Sequence, residues 1–240
     1  MKRNIATCVT ALLVSTAAIS AWAMDKSMDD ANRDKLKETF PNLGITDFTE
    51  TPVPGVYEVL AGEQIFYFSP QGYLFFGELW SKDGRNLTAE KREALLAKLI
   101  DGLPLDKAVR IGSGPNQVIE FTDPDCPHCR KVESYLDGRT DVTRYVFFYP
   151  LENLHPQARA KAQLILCAGD RENTLREVFA GAYDHQPIRP SAPCDADRLL
   201  EEHLELARRL GVRGTPVLWV NGQQVSGADL KRIDALLNRP

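Results

Sequence analysis

Two cysteines separated by two residues, Cys126 and Cys129, stand in the stretch IEFTDPDCPHCRKVESYL, between an apolar β-prone run and a helix-like one. Three chemistries use such a pair: metal ligation, a structural crosslink, or thiol–disulfide exchange. Zinc needs two further ligands, usually a second close cysteine or histidine pair. Cys167 and Cys194 are far apart, and none of the four histidines pairs with another at ligand spacing. No metal and no cofactor are expected. An inert disulfide across so short a span is disfavoured by geometry. Redox exchange remains. It needs one sulfur that is exposed and largely thiolate at neutral pH, and a second close enough to displace whatever the first attaches to. Cys126 follows a strand and opens a helix, where unsatisfied N–H groups and the positive end of the helix dipole favour a thiolate. Pro127 suits the first helical turn. His128 adds a donor or a positive charge. Cys129, inside the helix, is expected to be buried and to act as the resolving thiol.

Two further features belong with the pair. In RGTPVLWV, Thr215-Pro216 immediately precedes a strand. A cis proline there turns the chain sharply beside the dithiol and leaves the Thr215 backbone free to pair with an extended substrate peptide. Glu120 lies six residues before Cys126, in a strand expected to be central. Buried beneath the dithiol, its raised pKa would let it accept and return the proton of Cys129. The alternative is a strand-end glutamate facing solvent.

These side chains need a scaffold. With 43% hydrophobic and 26% charged residues, the 240-residue chain has an ordinary globular composition. Its first 23 residues differ: a basic MKRN, an apolar or small run from Ile5 to Ile19, then Ala21-Trp22-Ala23. This is the pattern of a secretory signal peptide cleaved after Ala23. The run is too weak to span a bilayer, and no later segment is long enough, so no membrane insertion is expected. Cys8 lies too early in the segment for lipid attachment. Of the 29 basic residues, removing Lys2 and Arg3 leaves 27 against 33 acidic ones, a formal charge of about −6. Nucleic acid, which requires a basic face, is not a partner. Four cysteines remain in an exported chain, and such compartments permit disulfides. Of the three connectivities, the short first spacing makes 126–129 with 167–194 the natural one.

Residues 24–86 read as one short helix with Leu36 and Phe40 four apart, stopped by Pro41 and Gly44. Strands follow at GVYEVL, EQIFYFS and GYLFFGELW, an antiparallel meander with Gly and Pro in its turns. Some sixty residues give a thin core, which favours a partner subunit. Residues 87–104 read as a linker helix, with Thr88 as N-cap, Glu90 in the first turn, and Gly102 and Pro104 as stops. From 105 to 240 strands and helices alternate: NQVIEF, then the helix opened by Cys126, then TRYVFFYPL. Helical blocks over 155–183 and 195–210 come next. A hairpin around Asn221-Gly222 and a final helix close the chain. That order is the order of a thioredoxin-like domain with a helical insertion.

With these residues placed, the chain resembles the DsbC/DsbG family of bacterial periplasmic disulfide isomerases over the whole mature length. The resemblance is carried by LGI and PVPGVYEV, by FTDPDCPHC, by the insertion with Cys167 and Cys194, and by GVRGTPVLWVNGQQVSG. It implies a mixed α+β and α/β fold, with a small cystatin-like N-terminal dimerisation domain, a linker helix and a thioredoxin-like catalytic domain. It also implies a periplasmic homodimer, a structural Cys167–Cys194 disulfide, misfolded disulfide-containing exported proteins as substrates, and reduction by a membrane protein such as DsbD. The isomerases typically carry Gly-Tyr between the cysteines. Pro127-His128 is the dipeptide of the oxidase DsbA, and Glu120 falls where that oxidase has a buried glutamate. Thr215 precedes the proline as in the isomerases. The expected function is isomerisation or reduction of incorrect disulfides through Cys126 and Cys129. A disulfide-donating oxidase and a holdase chaperone with secondary redox activity are the alternatives.

Overall fold

The computed structural model describes residues 29–62, 64–188 and 194–239. The expected signal peptide and Cys8 lie outside them. Two compact units meet in sequence between Arg92 and Glu93.

In the first unit, helix α1 (29–39) precedes four strands: β1 (Ile45–Glu50), β2 (Tyr57–Ala61), β3 (Gln64–Ser69) and β4 (Tyr73–Phe75). They form an antiparallel sheet in sequence order. Alternate apolar residues of β2 and β3 turn inward with Leu36 of α1, so the buried core is Leu36, Val59, Phe66 and Phe68. β1 has no counterpart in the sequence reading, because ITDFTE mixes polar residues on both faces and slips register between Ile45 and Asp47. β4 is shorter than the expected run; beyond Phe75 only a lone bridge from Trp80 to Asn86 remains. This leaves Tyr73, Phe75, Phe76 and Trp80 exposed along an edge.

Helix α2 (Leu87–Asp101) crosses the division. Its N-cap is Asn86, whose Oδ1 accepts the Ala89 N–H at 2.9 Å. Thr88, the expected cap, is instead wholly buried; its hydroxyl accepts the Leu79 N–H at 2.7 Å and meets the Tyr67 hydroxyl.

The second unit contains β5 (Val109–Ile111), β6 (Asn116–Thr122), α3 (Pro127–Leu136), β7 (Val142–Phe148), α4 (Ala158–Cys167), α5 (Arg171–Phe179), α6 (Ala196–Arg209), β8 (Val217–Val220), β9 (Gln223–Ser226) and α7 (Leu230–Leu237). The sheet order is β5-β7-β6-β8-β9, and only β6 and β7 run parallel. The parallel pair demands a crossover, which α3 supplies. Because β6 is central, residues 118–122 are buried on both faces. Val118 packs with Val132 and Leu136 of α3 and with Ile233 and Leu236 of α7. Ile119 and Phe121 face the other way, toward Leu206 and Ala207 of α6. The β8–β9 turn uses Asn221 and Gly222 at φ 48° and 79°, both in the left-handed region such a tight hairpin needs. The architecture therefore delivers the β6–α3 junction to one end of a fully covered sheet.

Candidate active site

Cys126 is the N-cap of α3 and Pro127 its first helical residue. Extended backbone at Cys126 (φ −71°, ψ 123°) turns the chain from the strand end into the helix, and its carbonyl accepts the Arg130 N–H at 3.0 Å. Cys126 and Cys129 are free thiols. Cys126 is 5% exposed and Cys129 1%. The sequence led us to expect an exposed nucleophile; instead, the N-cap position folds Cys126 against the Thr215 carbonyl, 3.7 Å from its sulfur, and into an apolar cluster with Phe148 and Ala162. It is still the more accessible of the two.

The sulfurs are driven to opposite acidities. Cys126 falls from an ordinary 9.0 to about 5, chiefly because the Cys129 thiol donates to it, with the backbone N–H groups of Cys129 and His128 adding to the effect against burial. Burial pushes Cys129 strongly up, and donating to Cys126 keeps it protonated. The Asp123 N–H reaches the Cys129 sulfur at 3.4 Å. One thiolate beside one buried thiol is the charge state that attack followed by internal displacement requires. Among the lowering causes, His128 contributes its backbone; its side chain is exposed and makes no hydrogen bond.

Thr215-Pro216 is a cis peptide, and it lays the Thr215 backbone beside Cys126. The Thr215 hydroxyl oxygen is buried beside the dithiol, where it favours the anion at both sulfurs. Glu120 is buried too, 2% exposed. Its carboxylate meets not a sulfur but Arg144, whose Nη2 donates at 2.8 Å; Arg144 also holds Glu133 with both terminal nitrogens. Burial raises the Glu120 pKa, Arg144 opposes this, and the Glu133 charge adds to it. Glu120 and Thr122 share a face of β6, and the Thr122 side chain is one of the groups that favour the Cys129 anion. Glu120 thus stands a further ~7 Å along the strand.

Cys167 and Cys194 are joined by a disulfide, with Cα atoms 5.7 Å apart. Among the described residues, no cluster of three or more His, Cys, Asp or Glu side chains could hold a metal ion.

Comparison with known proteins agrees with this arrangement. A family model described as "Disulfide bond isomerase protein N-terminal domain" matches residues 24–89, and one described as "Thioredoxin-like domain" matches 104–238. A probable thiol:disulfide interchange protein DsbC of Bordetella parapertussis is 32% identical over 87% of this chain and 73% of its own. The chain belongs to the DsbC family. The thiol:disulfide interchange protein DsbC of Escherichia coli K12 is 28% identical over 90% of this chain and 89% of its own. A crystal structure of a disulfide interchange protein from Neisseria gonorrhoeae, 32% identical, covers 56% of this chain and 96% of that one with a TM-score of 0.49.

Several residues around the dithiol of this DsbC-family chain escaped the sequence reading. Asp123 is fully buried and accepts from the Asp125 N–H (2.8 Å), the Leu151 N–H (2.7 Å) and His155 Nδ1 (2.9 Å). An aspartate bonding the backbone two residues on is an Asx-turn, so FTDPDC did carry a local signal for it. Arg144 and Glu133 carried none: an arginine in an apolar strand reads as a strand-end charge until its partner is known.

Proposed function

We propose that this chain isomerises or reduces incorrect disulfides in exported proteins. The observation that carries the reading is geometric: two free thiols stand at the start of α3, Cys126 as N-cap against the Thr215 carbonyl and Cys129 buried behind it. The first therefore ionises readily and the second stays protonated. The Cys126 thiolate attacks a substrate disulfide; a mixed disulfide forms and the substrate's other sulfur leaves as a thiolate. If that sulfur, or another thiol of the substrate, attacks back, Cys126 is released and the disulfide has been rearranged. If Cys129 attacks instead, its proton must leave, the substrate departs as a dithiol, and Cys126–Cys129 is oxidised. That proton passes to the departing substrate sulfur or to solvent, and Glu120, paired with Arg144, makes no contact with Cys129. A membrane thiol reductant similar to DsbD restores the dithiol. Thr215 and Pro216 hold the substrate backbone beside Cys126.

Two copies work together. β4 is an edge strand with Tyr73 65% exposed, and Phe76 and Trp80 just beyond it are 75% and 58% exposed, over a small core built around Leu36, Val59, Phe66 and Phe68. An apolar open edge on so small a core is the surface that a second copy covers. Periplasmic export after cleavage at Ala23 is supported by the family match beginning at residue 24 and by the absence, among the described residues, of any helix long and apolar enough to cross a membrane.

A second reading, disulfide donation, has one observation in its favour. A thiolate as acidic as Cys126 stabilises the reduced form and makes the disulfide more oxidising. Reactivation of scrambled ribonuclease separates the two. The purified reduced protein restores activity and its Cys126→Ala variant does not. Failure of the wild type, with efficient oxidation of reduced ribonuclease by its disulfide form, would establish the donor instead.

A further inference from the structure

We propose that Asp184 is a positioning residue through which the Cys167–Cys194 crosslink sets the acidity of Cys126. This rests on the dithiol reading above and adds a link that the exchange reaction alone does not demand.

Asp184 lies in the 27-residue excursion that the crosslink closes. Its carboxylate takes both ends of one guanidinium: Arg130 Nη1 donates to Oδ2 at 2.6 Å and Nη2 to Oδ1 at 2.7 Å. Lys161 Nζ donates to the same Oδ1 at 2.6 Å. The two cations then reach back to the segment in front of the nucleophile. Arg130 Nε donates to the Pro124 carbonyl at 2.9 Å and Nη2 to Asp125 Oδ1 at 3.1 Å, and Lys161 bonds Asp125 as well. Pro124 and Asp125 are the two residues directly before Cys126. Arg130 is one turn beyond it on α3.

The network is closed and formally neutral: two cations, two carboxylates. It is also fitted. Gly181 has a φ of 88°, in the region that favours glycine, and a Cβ there would also come within 2.9 Å of Asp184 Oδ2. Lys161 is only 1% exposed, so solvent screens its charge poorly. Hydrogen bonding by Arg130 holds the Asp184 carboxyl well below the usual carboxylate range. α4, which carries Lys161, ends at Cys167, and both Cys126 and Ile165 of α4 belong to one apolar cluster against which Cys167 packs. The crosslink therefore ties the segment bearing Asp184 to the helix bearing Lys161.

Removing the Asp184 charge leaves a net positive charge beside the first turn of α3, which favours the Cys126 thiolate. Removing the Lys161 charge leaves a net negative one, which disfavours it. The other titratable groups around the sulfur are Cys129 and His128 on α3, and Asp123 with its partner His155. Neither substitution alters them. Opening the crosslink loosens the hold on the turn that carries Asp184 and so acts in the same direction as its loss.

Ultraviolet titration of the Cys126 thiolate in the full-length folded protein tests this. Asp184→Asn should move the midpoint down by about half a pH unit, and Lys161→Gln up by a similar amount. The Cys167→Ser/Cys194→Ser variant should follow Asp184→Asn, and combining the two should shift the midpoint no further. The glutathione equilibrium should move about threefold in the same sense. A merely structural role predicts no shift, or shifts of one sign in both charge variants, and either result overturns the inference. Where a charge variant does not fold, the crosslink variant carries the test: a midpoint equal to that of the wild type overturns the coupling. If the dithiol reading itself is wrong, no thiolate titrates below pH 7 even in the wild type.

Discussion

Cys126 and Cys129 are three apart in sequence and free; Cys167 and Cys194 are 27 apart and joined. Cys126 and Cys129 are buried in an apolar cluster, whereas Cys167 only packs against it and Cys194 is exposed. Polar surroundings separate the pairs further. The Cys126 sulfur sits at a helix start with backbone N–H groups and a neighbouring thiol stabilising its anion, and the backbone of Thr215 lies against it. The second pair ends one helix and precedes another, closing a long excursion. A short ring constrains the unfolded chain little, whereas a long one constrains it substantially. One chain thus holds a free dithiol whose disulfide is easily opened and a crosslink that is costly to open.

The largest effect expected from breaking this contrast is at Cys129. In Cys129→Ala, Cys126 still attacks but has no internal displacer, so mixed disulfides accumulate on non-reducing gels and net reduction falls ~100-fold or more. Turnover with no trapped adduct would contradict the assigned roles. Next is the buried ion triad on the α3 side of β6, which has no counterpart beside Cys167. Arg144→Met leaves Glu120 and Glu133 without a cation and should cost roughly 3–5 kcal/mol in urea unfolding. Replacing both glutamates by glutamine in that background should recover much of it. Smaller again is the crosslink: Cys167→Ser/Cys194→Ser should lose about 3.5 kcal/mol by the chain-entropy relation for a loop of this length, with interchange activity kept within a few-fold.

What the sequence discloses follows from how local each cause is. The strand–helix junction at Cys126, the tight turn at Asn221-Gly222 and the apolar strand 116–122 are written in neighbouring residues. β1 is invisible because its polar and apolar residues do not alternate, and β5 because three residues give no period. Thr88 was read as a cap from its type; Asn86 has equal claim by type, and only the Tyr67 and Leu79 contacts decide between them. The Glu120 environment and the Asp125–Lys161–Asp184–Arg130 network join residues up to 54 positions apart through charge pairs. No window of sequence contains them.

The central claim is that burial and hydrogen bonding split the dithiol, leaving Cys126 anionic where Cys129 is neutral. The pH dependence of alkylation by iodoacetamide, with the labelled residue located by peptide mass, tests this most directly. Only the anion reacts, so labelling rises with pH through the thiol pKa. The account predicts a half-maximal rate near pH 5, confined to Cys126. A midpoint near 9, or equal labelling of Cys129, would contradict it.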